Sequence, residues 1–168
     1  VFQILHLDHS STSNVISDNR IDHVLFTGSV SGGIEVKKAI GTRFIGAGLE
    51  LGGKDPAYVR SDCNFEHAVE NLVDGSYYNS GQSCCGIERI YVDEKIFDNF
   101  IDAFKNQTEK YILNNPLEET TNLGPVVKLS AANNIRNQIS KAISNGAKNI
   151  IDENKFKIDN PNNCYVSP

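Results

Sequence analysis

No stretch of the 168-residue chain approaches the roughly 20 consecutive apolar residues that a membrane-crossing helix requires. No Lys/Arg cluster suggests a phosphate track. The formal net charge is -5, and the densest basic spot, Lys37-Lys38, falls on an expected helix surface. That balance argues against a nucleic-acid partner. The first residues do not show a charged segment, an apolar core and a cleavage site in succession. The four cysteines, Cys63, Cys84, Cys85 and Cys164, contain no CxxC pair, and adjacent Cys84 and Cys85 would bridge only with strain. The even count allows two disulfides in a secreted chain, but nothing else suggests secretion. The thiols are therefore expected to be reduced and the protein cytoplasmic. There is no internal repeat and no low-complexity region. Asn106-Gln107-Thr108 fits the glycosylation triplet, as an asparagine-rich chain does by chance.

What is present suffices for one ordinary domain with a real core, since 39% of residues are hydrophobic. The chain opens on the apolar run Val1 to Leu5 and closes on Val166-Ser167-Pro168, with little of the polar fraying usual at termini. The expectation is a piece of a longer protein.

Strands and helices alternate in the pattern. Residues 1–7 suggest a strand, and Ser10 to Asn19 a short helix. Ile21 to Phe26 suggests a buried strand. Phe26-Thr27-Gly28-Ser29-Val30-Ser31-Gly32-Gly33 then predicts a Gly-rich turn before a helix ending at Gly41. Such a turn lets a phosphate approach the backbone and the helix N-terminus. The glycine spacing is not GxGxxG, so a plain strand-to-helix turn fits equally. Arg43 to Leu51 is a further strand-like run, whose Gly46 and Gly48 suggest close approach of a ligand or another backbone. Ala57 to Val59 predicts a short strand, and Asp62 or Asn64 caps a helix with the stripe Phe65, Ala68, Val69, Leu72, Val73. Ile87 to Val92 alternates like a strand. Asp93 caps a helix carrying Phe97, Phe100 and Phe104, and Ser130 caps another that stops at Gly146. Asn114 to Pro125 is a loop and Ala147 to Ile151 a further strand candidate. This alternation predicts an α/β fold with mostly parallel pairing.

The chemistry centres on the turn Tyr77 to Gly86, which can hold a thiol at a fixed point in a cleft. Cys84 is the expected nucleophile, and a thiol needs a lowered pKa or a neighbouring base to act. Glu50, between Leu49 and Leu51 and followed by Gly52-Gly53, is the candidate base, with desolvation raising its pKa. A surface glutamate, or one paired with Lys54, is the competing account. His6, His9, His23 and His67 sit away from any motif, so a Cys-His dyad lacks a candidate in the right setting. Adjacent cysteines are poor metal ligands, so no metal site is expected. Cys63 and Cys164 read as small hydrophobes, and Cys85 as a wall residue or a thiol able to trap Cys84 on oxidation.

Three segments in order, Phe26-Thr27-Gly28-Ser29 with Gly33, Leu49-Glu50-Leu51-Gly52-Gly53-Lys54 and Asn79-Ser80-Gly81-Gln82-Ser83-Cys84, resemble the aldehyde dehydrogenase superfamily. Asn122-Leu123-Gly124-Pro125-Val126 and Tyr165-Val166-Ser167-Pro168 add weaker matches. The resemblance implies that residues 1–50 end a Rossmann-like nucleotide-binding domain and that 51–168 begin an α/β catalytic domain. It implies oxidation of an aldehyde with NAD or NADP, Cys84 forming a thiohemiacetal and then a thioester, and Glu50 activating the hydrolytic water. Gly28, Ser29 and Gly33 would shape the pyrophosphate site, and Leu51 would lie beside the nicotinamide. It further implies a homo-oligomeric full-length protein and places several family elements outside these residues. These are the asparagine completing the oxyanion hole, the lysine for the adenosine ribose and the glutamate for the nicotinamide ribose. The 168 residues alone are therefore expected to have little or no dehydrogenase activity. Alternatives are a CoA-acylating relative and a non-catalytic fragment or scaffold. Tyr77 and Tyr78 are candidates for lining a substrate tunnel.

Overall fold

A computed structural model describes residues 2–168. The chain divides into two compact units, Val1–Gly53 and Lys54–Pro168. Both are built on a two-stranded parallel sheet with a helix in the connection, so the observed class is α/β.

In the first unit, α1 (His9–Ser17) starts where the Asp8 carboxylate accepts the Ser11 N–H at 2.7 Å. Strand β1 (His23–Thr27) runs parallel to β2 (Gly46–Glu50), pairing Phe26 with Leu49 and Thr27 with Glu50. Parallel strands need a crossover, and α2 (Val30–Ile40) supplies it. Ile16, Val36 and Ile40 form the buried core, with Val24, Phe26 and Leu49 packed on it. The Arg43 guanidinium donates to the carbonyls of Ile16, at 2.7 Å, and of Ile21, tying the α1–β1 connection to the segment before β2.

In the second unit, β3 (Asp55–Val59) runs parallel to β4 (Ile87–Val92), with α3 (Phe65–Tyr77) between them. The Asn64 side chain caps α3 by accepting the His67 N–H. Asp93 caps a single 3-10 turn, Glu94–Ile96, which leads into α4 (Phe97–Thr108). Val59, Val69, Val73 and Phe100 make the core, and Phe65 meets Phe100 edge to face at 6.3 Å. Burying Phe100 contributes about 1.5–3 kcal/mol. A second cluster gathers Leu113, Leu123 and Phe156, and α5 (Leu129–Ser144) follows the 122–127 segment. Gly146, at φ 100°, turns the chain beyond α5.

Five expectations need correcting. Strand β1 is not buried: its residues alternate exposed and half-buried, with Leu25 81% exposed, because its sheet has two strands. Val1 lies outside the described residues, and residues 2–8 form no strand, because no neighbouring strand offers them hydrogen bonds. Ala147 to Ile151 is likewise irregular. Ser130 lies inside α5, whose cap position is Lys128. Gly46 and Gly48 make room for cross-strand side chains rather than for a ligand or backbone. A Cβ on either would stand 2.7 Å from His23 or Leu25 atoms.

Candidate active site

The first unit gathers five of the expected site residues at the carboxyl ends of its two strands. There β1 turns through Gly28 and Ser29 into α2. The Gly28 N–H donates to the Glu50 carbonyl at 3.0 Å, which closes the turn onto the end of β2. Ser29 Oγ accepts the Gly32 N–H at 3.1 Å and so caps α2. The first N–H groups of a helix have no intrahelical acceptors, and the helix dipole puts partial positive charge there. Carboxyl ends of parallel strands beside a helix N-terminus are where α/β sheets take phosphate-bearing ligands.

The glycines of this turn leave room for neighbouring side chains. A Cβ on Gly28 or Gly32 would stand 2.7 Å or 2.5 Å from the tip of the Phe26 ring. Gly33 is buried against Leu51, and a Cβ there would meet Leu51 Cδ2 at 3.0 Å. Beside that contact lies an open depression of about 380 Å³ lined by Val30, Gly33, Ile34, Leu49 and Leu51, with Lys37 and Lys38 also on its wall. Its floor is apolar, and the Lys38 ammonium at its wall pairs with Glu35 at 2.7 Å.

Glu50 ends β2 exposed, so the expected desolvation is absent within this unit. The reason is its position: it is the last residue of a strand paired on one side only, and its flanking apolar residues do not cover it. In the second unit, Lys54 pairs with Glu88.

The second unit carries the thiol. Helix α3 ends at Tyr77, whose ring packs 6.2 Å from Phe104 and 5.8 Å from Tyr111. Tyr77 packs against the Val59–Phe100 core, and burial pushes its hydroxyl pKa up; Tyr78 is exposed. The backbone then passes through Asn79 (φ 52°), Ser80 (φ 58°) and Gly81 (φ 74°), three consecutive left-handed residues. Two of them carry a Cβ, which costs of order 1–3 kcal/mol per residue and persists only where surroundings enforce it. Those surroundings are visible. Asn79 Nδ2 donates to the Gln82 carbonyl and Gln82 Nε2 to the Asn79 carbonyl, both at 3.0 Å. Ser80 Oγ donates to the Gly124 carbonyl, and the Val127 N–H donates to Gln82 Oε1, both at 2.8 Å.

Cys84 follows on a tight turn closed by the Gly86 N–H to the Ser83 carbonyl, 3.2 Å. Cys84 and Cys85 are free and exposed, and Cys85 Sγ lies 3.4 Å from Ser83 Oγ. Within its unit Cys84 therefore stands open to solvent, not in a cleft, because the turn sits on the surface. Cys63 and Cys164 are free and half-buried. Among the described residues no group of three or more His, Cys, Asp or Glu side chains is arranged to hold a metal.

The model of the aldehyde dehydrogenase family matches residues 1–168. The chain belongs to that family. Lactaldehyde dehydrogenase of Methanococcus aeolicus is 34% identical over 140 residues, covering 83% of this chain and 30% of the relative. Among solved structures, the glyceraldehyde-3-phosphate dehydrogenase GapN of Methanocaldococcus jannaschii, complexed with NADP, superposes with a TM-score of 0.78 at 34% identity. It covers 83% of this chain and 30% of that one. Betaine aldehyde dehydrogenase of Staphylococcus aureus, complexed with NAD+, gives 0.84 at 29% identity, covering 96% and 32%. The chain thus spans about 30% of the length of the curated relative.

Within this aldehyde dehydrogenase segment, sequence reasoning missed the roles of Phe26, Ser80 and Gln82. Ser80 and Gln82 stood inside the thiol motif, but their partners lie 44 and 45 residues away, and no local pattern announces such a pairing.

Proposed function

We propose that the protein oxidises an aldehyde to a carboxylic acid with NAD or NADP, using Cys84 as nucleophile. The observation that carries this is the enforced left-handed turn that presents Cys84, in a chain of the aldehyde dehydrogenase family. The Cys84 thiolate attacks the carbonyl carbon, a C–S bond forms, and the oxygen becomes an oxyanion that the Cys84 backbone N–H meets as a donor. NAD(P), when bound, would supply the hydride acceptor for oxidation at that carbon, which leaves the acyl group on Cys84 as a thioester. Glu50 then removes a proton from water, the water oxygen bonds to the acyl carbon, and the Cys84 thiolate leaves. Exposure of Glu50 leaves it open to the molecule it must deprotonate. Its presence favours water over CoA as the acyl acceptor.

Ser29 and the α2 N-terminus would hold the pyrophosphate, Gly28 and Gly33 would shape the backbone around it, and Leu51 would lie beside the nicotinamide. Residues 1–50 are the end of the nucleotide-binding domain and 51–168 the start of the catalytic domain. The full-length protein is a cytoplasmic homo-oligomer, and the 168 residues alone turn over little or no aldehyde. The test is alkylation of the full-length protein by iodoacetamide, with and without NAD, mapped by mass spectrometry, beside the activity of Cys84→Ser. Selective labelling of Cys84 over Cys63, Cys85 and Cys164, with Cys84→Ser inactive, is expected. Uniform labelling of folded protein, or an active Cys84→Ser, refutes the reading.

A further inference from the structure

The turn before Cys84 is strained, and its Asn79, Gly81 and Gln82 are exposed. Its three left-handed residues form no regular helix or strand ladder. Asn79 and Gln82 bond each other, which shapes the turn but attaches it to nothing else. Among the described residues, two of the hydrogen bonds that Asn79, Ser80 and Gln82 make with their side chains leave the turn, and both reach the segment between Leu123 and α5. They run from Ser80 Oγ to the Gly124 carbonyl and from the Val127 N–H to Gln82 Oε1, each 2.8 Å long. The receiving segment is itself anchored. Leu123 and Val126 are buried, and the Val126 N–H donates to the Cys164 carbonyl at 2.9 Å. Gln82 is the node: one amide nitrogen holds the turn and the amide oxygen holds the anchor.

We propose that Ser80 and Gln82 are positioning residues for the Cys84 thiol, bracing its turn against the Gly124–Val127 backbone. The proposal rests on Cys84 being the nucleophile. Neither side chain takes part in bond making. Their work is to hold the left-handed backbone that fixes where Cys84 Sγ and the Cys84 N–H point, and misplacement of a nucleophile by about 1 Å can lower a rate about 100-fold. Because both braces hold one segment, their effects are coupled rather than independent.

The experiment uses the full-length protein with Ser80→Ala, Gln82→Leu, the double variant, Gln82→Glu and Cys84→Ser. Leucine removes both amide bonds at similar length, whereas glutamate keeps the acceptor for the Val127 N–H. Steady-state kinetics are measured together with the iodoacetamide rate at each cysteine. Half-buried Cys63 and Cys164 report on folding, since their labelling rises if the unit loosens. Expected for Ser80→Ala and Gln82→Leu is a kcat lowered about tenfold with KM within twofold. Cys84 alkylation is altered while Cys63 and Cys164 are unchanged. Gln82→Glu recovers part of the loss, and the double variant loses less than the product of the singles. A kcat and a Cys84 labelling rate within twofold of the parent in both singles and the double overturn the brace. So do losses accompanied by faster Cys63 labelling and no recovery in Gln82→Glu. If Cys84→Ser stays active, the nucleophile assignment itself has failed; if it is inactive while the brace variants match the parent, only the brace has.

Discussion

Replacing Asp159 by asparagine removes the charge at the centre of the network that holds residues 159–167 against α5. Asp159 Oδ1 accepts from Arg136 Nη2 at 2.7 Å, and Oδ2 accepts the Ser167 N–H at 2.7 Å and its hydroxyl at 2.9 Å. Arg136 also reaches the Tyr165 carbonyl at 2.7 Å. Both charged side chains are 21% exposed, so solvent screens the pair only in part. An asparagine keeps one acceptor oxygen but turns its NH2 toward groups that are themselves donors. Hydrogen bonds to a charged group contribute about 1.5–3 kcal/mol each, and one set survives, so Asp159→Asn should cost about 2 kcal/mol. In a chain of this size that lowers Tm by about 4–8 °C.

The pH dependence supplies a second check on the same carboxylate. Burial by itself would raise the Asp159 pKa, but the Ser167 N–H, the Arg136 guanidinium and the Ser167 hydroxyl outweigh it and hold the carboxyl below its ordinary 3.8. A depressed folded-state pKa means the stabilisation is complete above the ordinary value and is lost as pH falls through the lowered one. The difference between parent and Asp159→Asn should therefore be constant from pH 7 to about 5 and shrink in acid. Urea unfolding at a series of pH values, followed by far-UV circular dichroism, measures it. A difference under about 0.5 kcal/mol at pH 7, or one that grows in acid, refutes the argument.

Glu50→Gln should spare acyl-enzyme formation and slow its hydrolysis by about 10²–10⁴-fold; stopped-flow absorbance would show a burst of reduced cofactor followed by a slow steady state, and loss of the burst would contradict the assigned role. Phe100→Ala empties the centre of the second unit's core, where Phe100 is 2% exposed, and should cost about 3–5 kcal/mol. Chemical denaturation checks it, and a loss under about 1 kcal/mol would mean the surrounding side chains collapse into the space.

The local elements were legible because their causes are local. Ser29 caps α2 by accepting a bond three residues on, and Asn64 does the same for α3. The Phe65-to-Val73 stripe repeats at helical spacing, and Ile87 to Val92 alternates, so their character is written within a dozen residues. The order of the three motifs also named the family without a coordinate. Two stretches misled, the apolar run at 1–7 and the mixed segment at 147–151. A strand needs a partner's hydrogen bonds as well as its own apolar residues, and the described part of each run has none.

What the amino-acid order determined was the set of candidates: a pair of thiols in a glycine-bearing turn, a carboxylate at a strand end and a Gly-rich turn before a helix. What only the folded chain decided was their surroundings. Phe26 fills the space beside Gly28 and Gly32, Glu50 ends up exposed, and Gly124 and Val127 hold a turn some 45 residues earlier in the chain. Capping and periodicity arise between neighbours in sequence, whereas burial and bracing arise between parts that meet only after collapse.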